Sequence, residues 1–289
     1  MVAITRLSLF AMALCVGIFV PQQANGQEHA RSAKPLSQAH AHNDYEHARP
    51  LYDALDEGFN SVEADVYLVD GELLVAHDFW KVSKKRTLER LYLIPLQERI
   101  QANQGRVFPG GPAFTLLVDI KRDGESAYVA LEKLLTKYSE FISQTQDGKL
   151  IEKAVTVIIS GDRPKSVISD SNPRYAGIDG RLSDLDSDAP ASLLPLISDN
   201  WSLHFRYRGD GEMSETDRTK LREIVTKAHS KGRRVRFWAT PESDSIWKEL
   251  QSAQVDLIGT DNLKKLGAFL DSTEFKETPL SPLAPQKKP

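Results

Sequence analysis

The chain of 289 residues contains one cysteine, Cys15, and no repeat or low-complexity block in its central part. Cys15 falls in an N-terminal segment expected to be removed, so the mature chain has no disulfide and is held by its core alone. Basic charge is not in excess: 37 Lys and Arg stand against 40 Asp and Glu, a formal net charge of −3. With no basic stripe either, tracking of a nucleic-acid backbone is excluded as an expectation. The apolar run Leu7–Val20 is short for a membrane span.

That run has the form of a processing signal. Arg6 gives a positive start, Pro21 ends the run, and Ala24-Asn25-Gly26 supplies small residues before a cut. Leu14 before Cys15 is too large for the usual lipoprotein site. The expected organisation is a signal peptide over 1–26, a linker over 27–34, a barrel over 35–272 and a disordered tail over 273–289. The tail ends TPLSPLAPQKKP, four prolines without hydrophobic periodicity. The mature protein is expected to be secreted or periplasmic, monomeric, and not stably inserted in a membrane.

Between the ends, short apolar strands alternate with amphipathic helices, the pattern of βα units. Strands are predicted at Leu36–His42, Ser61–Val69, Phe114–Lys121, Val155–Ser160, Ala176–Leu182, Leu194–Ser198, Arg234–Ala239 and Val255–Gly259. Asp70-Gly71 is a hairpin signal that folds Glu72–Ala76 back beside strand two. Helices are predicted over Arg49–Glu57, Thr87–Gln101, Glu125–Phe141, Glu215–Ser230, Asp244–Gln251 and Leu263–Leu270. Eight strands in series give the expected fold class, α/β, as a (β/α)₈ TIM-type barrel with a β-hairpin after strand two. A barrel of this kind takes roughly 250 residues and carries its chemistry at the C-terminal ends of its strands.

That geometry gathers polar residues at one rim. His42 ends strand one. Glu63 and Asp65 are two apart on strand two and so share its inner face. Asp119 and Lys121 do the same on strand three, and His77 follows the hairpin. Three inward carboxylates are costly without compensation. A divalent cation, Mg²⁺ or Ca²⁺, on Glu63, Asp65 and Asp119 supplies it; a salt-bridge network with Lys121 and Arg181 is the alternative. His42 and His77 titrate near neutral pH and suit acid–base work. Lys121, Arg163 and Arg181 can neutralise a phosphate. Trp238 either packs against a ligand or plugs the rim. Asn43 and Asp78, next to the two histidines, are expected to support them, although Asp78 could equally cap the segment that follows. His40 reads as a core histidine or one behind the site, His229 as a cap on its helix dipole, and Arg206 and Arg208 as loop residues.

The runs HNDY at 42–45, SVEADV at 61–66, Asp119–Lys121, Ser160–Pro164 and Asp179–Arg181 resemble the signature of the phospholipase-C-like phosphodiesterase superfamily. That group includes the glycerophosphodiester phosphodiesterase and sphingomyelinase D types. The likeness is nearest to the subgroup of the fungal "altered inheritance of mitochondria protein 6". FWATP at 237–241 and VDLIGTDN at 255–262 extend it to the last strands. The resemblance implies a (β/α)₈ barrel, a divalent metal on Glu63, Asp65 and Asp119, His42 and His77 as the acid–base pair, Lys121 on the phosphate and Trp238 in the pocket. Glycerophosphodiesterases usually show His-Arg-Gly where this chain has His42-Asn43-Asp44, and often glutamate where it has Asp119. These departures point away from glycerophosphodiesters without removing phosphodiester chemistry.

The expected function is metal-dependent cleavage of a lipid-derived or small-molecule phosphodiester, by water or by a substrate hydroxyl that leaves a cyclic phosphate. His42 is taken as the base and His77 as the acid. The alternatives are a ligand-binding barrel without activity and a glycosidase using two rim carboxylates.

Overall fold

A computed structural model describes residues 34–273. The expected signal peptide, nearly all of the linker and nearly all of the tail lie outside them. Eight parallel strands close into a barrel in the order β1 (Leu36–Ala41), β2 (Phe59–Val69), β4 (Phe114–Ile120), β7 (Val155–Gly161), β8 (Ala176–Gly180), β9 (Leu196–Asn200), β10 (Arg234–Trp238) and β11 (Leu257–Thr260). Closure comes from β1, which pairs with β11 on one side and β2 on the other. The hairpin is present: β3 (Glu72–Val75) runs antiparallel to β2, with Val66 opposite Val75 and Val69 opposite Glu72. Asp70 and Gly71, both at positive φ, make the turn between them.

The core lies between the barrel wall and its helices. Val62, Val66, Leu116, Val118, Ile120, Val157 and Ile159 point outward from neighbouring strands into it, all essentially buried. Inside the barrel, Leu117, Ile158, Leu196 and Leu257 form a small separate apolar plug. Strand alternation then carries the next inward positions above this plug to Asp119, Ser160 and Ser198. A polar mouth on an apolar floor follows directly from a period of two.

Several helices differ from expectation. Arg49–Glu57 forms only the short α1 (Tyr52–Asp56), because Leu51 sits at φ 67 with its N–H committed to Asp44. Thr87–Gln101 begins as a π-helical turn, Glu89–Leu93, before α2 (Ile94–Ala102). The third helix, α3, spans Gly124–Thr136 and then breaks into turns. After it, β5 (Gln144–Gln146) and β6 (Lys149–Ile151) form a small hairpin whose Asp147-Gly148 turn carries the same Asp-Gly signal as Asp70-Gly71. Short helices α4 (Lys165–Asp170) and α5 (Trp201–His204) add to the expected set, whereas α6 (Glu215–Ser230), α7 (Asp244–Ser252) and α8 (Leu263–Ser272) match it closely. Ser214, Ser243 and Asn262 cap those last three through side-chain oxygens. Among the described residues, no helix is long and apolar enough to cross a membrane.

Candidate active site

The register of β2 against β4 builds the centre. Asp65 lies directly opposite Asp119, and Glu63 lies two residues deeper, opposite Leu117. One carboxylate oxygen from each of Glu63, Asp65 and Asp119 falls within 4.8 Å of the others. Close approach is needed at the next strand too. Gly161, at φ +69, ends β7 where a Cβ would stand 2.5 Å from the Asp119 carboxylate.

Each acid is only partly compensated. Glu63 Oε2 accepts from Arg236 Nη2 at 3.0 Å and lies 3.5 Å from His40 Nε2. Burial works against the Glu63 charge, but Arg236 and His40 outweigh it and hold its pKa well below the usual carboxylate range. Lys121 Nζ sits between Asp65 Oδ2, at 2.7 Å, and Asp119 Oδ1, at 3.1 Å. Even so, burial dominates and raises the pKa of both aspartates. Asp65 Oδ1 is buried with no hydrogen-bond partner. Three carboxylates against two cations, one buried oxygen left over, and an all-oxygen donor set fit a hard divalent cation. The salt-bridge alternative is present in part: Lys121 bonds two of the acids, but Glu63 is paired by Arg236, and Arg181 pairs with Asp179.

The histidines flank this cluster. His42 Nδ1 is 2.8 Å from Asp261 Oδ1, and its Nε2 is 4.0 Å from Glu63 Oε2. Burial lowers the pKa of His42, but the Asp261 hydrogen bond and the Glu63 charge outweigh it, so the net direction is up. His77 Nδ1 is 3.1 Å from Asp65 Oδ2 and 3.1 Å from the Tyr45 hydroxyl. In both rings the hydrogen bonds to partners run through Nδ1, so Nε2 is the nitrogen turned to the cluster without one. His40 is fully buried, with Nδ1 2.7 Å from Ser61 Oγ. Burial, then Arg236, pushes its pKa down to about 4, so it stays neutral behind Glu63.

The HNDY run is a single device. Asn43 takes the left-handed conformation at φ 47. Its side chain reaches His42 Nδ1 at 3.1 Å, and its Oδ1 lies 2.7 Å from the Tyr45 hydroxyl oxygen. Asp44 is buried, and its Oδ2 accepts from Leu51 N–H at 2.6 Å and Tyr92 O–H at 2.9 Å. Tyr45 O–H donates to Asp65 Oδ2 at 2.6 Å.

On the far wall, Asp179 is fully buried, and its carboxylate accepts from Ser160, Ser198 and Arg181. Its carbonyl accepts from Arg163 and Arg181. The bonds that hold these arginines run through Nη1 alone. Arg181 also stacks on Trp238, with Cζ 4.6 Å from the ring centroid. Trp238 therefore packs on a guanidinium at the rim, a use the sequence did not suggest.

Two expectations need correction. Asp78 neither orients His77 nor caps the next turn: its carboxylate pairs with Lys81 Nζ at 3.2 Å, and it makes no capping bond. The imidazole is already satisfied by Asp65 and Tyr45. His229 does more than face a helix dipole, since its Nε2 lies 2.8 Å from Asp256 Oδ2. Arg208 donates to the carbonyls of Phe205 and Tyr207 in its own loop.

Sequence reasoning missed Arg236, Tyr45 and Asp179. Arg236 was legible, being two residues before Trp238 on the same face of β10. Asp179 shares its strand face with Arg181. Tyr45 gives no periodic signal; only the fold brings it to Asp65.

Fold and site together define a closed (β/α)₈ barrel with an acid-and-histidine mouth. A family model for the AIM6-like phosphodiesterase domain matches residues 27–179. That is more than half of the chain, which belongs to this family and bears out the resemblance read from its motifs. The matched stretch holds His42, Glu63, Asp65, His77, Asp119, Lys121 and Arg163 and ends before Arg181 and Trp238. Among curated relatives, "Altered inheritance of mitochondria protein 6 homolog" of Arthroderma benhamiae is 28% identical over 258 residues, 78% of this chain and 81% of the relative. "Altered inheritance of mitochondria protein 6" of Eremothecium gossypii is 29% identical over 290 residues, 86% of this chain and 73% of the relative. Among solved structures, a glycerophosphodiester phosphodiesterase from Parabacteroides distasonis superposes with TM-score 0.52 at 15% identity, covering 83% of this chain and 99% of that one. At that identity it is the barrel fold that is shared.

Proposed function

We propose that the protein is a metal-dependent phosphoric diester hydrolase acting on a lipid-derived phosphodiester. The observation that carries this reading is the cluster of Glu63, Asp65 and Asp119 within 4.8 Å, with His42 and His77 directed at it, in a chain of the AIM6-like phosphodiesterase family. A cation held by the three acids would supply a Lewis acid that draws charge from the phosphoryl group.

The chain's own residues do the rest. His42, held through Nδ1 by Asp261, takes the proton of the nucleophile at Nε2. His77, held through Nδ1 by Asp65 and Tyr45, returns a proton from Nε2 to the leaving oxygen. Lys121 faces the same centre as a fixed positive charge. Arg163 and Arg181, fixed by Asp179, take the place of the arginine that glycerophosphodiesterases carry where this chain has Asn43. Their open guanidinium edges suit phosphate oxygens. The nucleophile is water or a substrate hydroxyl; inline attack by the latter forms a cyclic phosphate and expels the head group. With the leader expected over 1–26, the enzyme would act outside the cytoplasm.

The test is hydrolysis of a chromogenic phosphodiester and several lipid diesters, with and without chelator. Metal-dependent turnover that stops on chelation supports the reading. Activity indifferent to chelation removes the metal, and no activity on any diester with any divalent ion leaves a binding barrel.

A further inference from the structure

Beside the mouth, the segment Phe79–Arg86 reads FWKVSKKR, two aromatic and four basic residues without an acid. It begins two residues after His77. Trp80 is 80% exposed and Phe79 41% exposed, whereas Trp201 and Trp247 are completely buried. A fully presented indole is the exception on a soluble surface.

Its exposure is built in rather than loose. Arg122 lies 3.6 Å above the Phe79 ring, and Tyr67 meets that ring edge-on at 5.4 Å. The Tyr67 hydroxyl donates to the His77 carbonyl at 3.0 Å. The loop is closed at its base by Val75 N–H donating to the Arg86 carbonyl at 2.7 Å. Phe79 is thus held against Arg122 and Tyr67, and the next residue, Trp80, stands exposed.

The charges around it face out as well. Lys81, Lys84 and Arg122 keep about half or more of their side chains exposed, and Lys85 is exposed too. Their partners Asp70 and Asp123 are exposed acids, whose pairs are weak and readily exchanged, and Asp78, the partner of Lys81, is half-buried. Arg86 alone turns inward, to the Tyr45 carbonyl. Leu203, 76% exposed, lies just after β9 at the same end of the barrel.

We propose that Phe79–Lys85 with Arg122 is a docking surface for an anionic lipid bilayer, which sets the barrel mouth at head-group level. An indole with an apolar body and a polar edge suits the bilayer interface, and flexible lysines snorkel to anionic head groups around it. A protein partner fits less well, because lysines are depleted from protein–protein contacts. The inference deepens the proposed function by making the substrate a lipid in a membrane, but the docking itself does not depend on turnover.

The test uses the purified full chain with vesicles of phosphatidylcholine alone or mixed with phosphatidylserine. The wild type is expected to co-sediment with the mixed vesicles, less so as salt rises, and to leave the neutral ones largely unbound. Trp80→Ala should weaken binding roughly tenfold, and the double variant Lys81→Glu, Lys85→Glu should abolish it. Trp80→Phe should remove the blue shift of tryptophan emission on binding. Trp80→Ala should hydrolyse a soluble chromogenic diester at the wild-type rate. Absence of wild-type binding to mixed vesicles, or undiminished binding by Trp80→Ala, overturns the proposal. A His77→Ala protein should still bind, so a failure of docking and a failure of the catalytic reading are read apart.

Discussion

The hydroxyl of Tyr45 donates to Asp65 Oδ2 at 2.6 Å, tying the loop that ends β1 to the acid at the centre of β2. The same oxygen lies 3.1 Å from His77 Nδ1, so one phenol sets both an acid and an imidazole. Tyr45→Phe removes that bond from a carboxylate that is 1% exposed. The expected result is a kcat lowered roughly tenfold or more with little change in KM, and a loss of about 1–3 kcal/mol in stability. Steady-state kinetics and urea unfolding on the same preparation check both.

His42→Ala and His77→Ala should each lower kcat by about two to four orders of magnitude while the protein stays folded. Far-ultraviolet circular dichroism establishes the fold, and unchanged turnover in either variant would remove that histidine from the acid–base pair.

Asp119 is the acid on which to test the cation, because Lys121 still has Asp65 when it is lost. Asp119→Asn should raise the metal concentration needed for half-maximal activity and shrink the rise in melting temperature on adding Mg²⁺ or Ca²⁺. Glu63→Gln should weaken the metal response too, but it also leaves Arg236 buried without its carboxylate. That variant should lose about 3–5 kcal/mol of stability.

Arg181 stacks on Trp238 and bonds Asp179, and it is expected to meet the phosphate. Arg181→Lys keeps the charge but loses the planar fork, so kcat/KM should fall roughly tenfold or more, mainly through KM. An unchanged KM would place Arg181 in a purely structural role.

Asp44 gives a pH signature away from the acid cluster. Burial pushes its pKa up to about 6, against the bonds from Leu51 and Tyr92 that favour the anion. A carboxyl with a folded pKa above its unfolded one stabilises the fold fully below the unfolded value, near 4, and that contribution is lost as pH rises through about 6. The separation corresponds to about 3 kcal/mol. Wild-type stability minus that of Asp44→Asn should therefore fall by about that amount between pH 4 and pH 7. Urea unfolding across the range measures it; a flat difference would show that Asp44 ionises normally.

The alternation of apolar strands with amphipathic helices was enough to count eight strands, and the period of two along them was enough to put Glu63 with Asp65 and Asp119 with Lys121 on inner faces and to gather the polar ends at one rim. Asp70-Gly71 was enough for the hairpin that carries His77. Helix bounds were less legible where a tertiary bond competed with local propensity, as at Leu51, whose N–H is taken by Asp44. Asp147-Gly148 held a readable hairpin signal for β5 and β6.

By itself, the sequence determined the strand count, the inner faces and the residue types at the mouth, because those depend on local period and side-chain chemistry. Partner choice depended on distance through space. Arg236 meets Glu63 across 173 positions and His42 meets Asp261 across 219, and no local pattern encodes either pair. Only closure of the barrel, with β1 between β11 and β2, brings them within reach. That closure decides which acid is neutralised, which histidine is held, and why the HNDY run serves both.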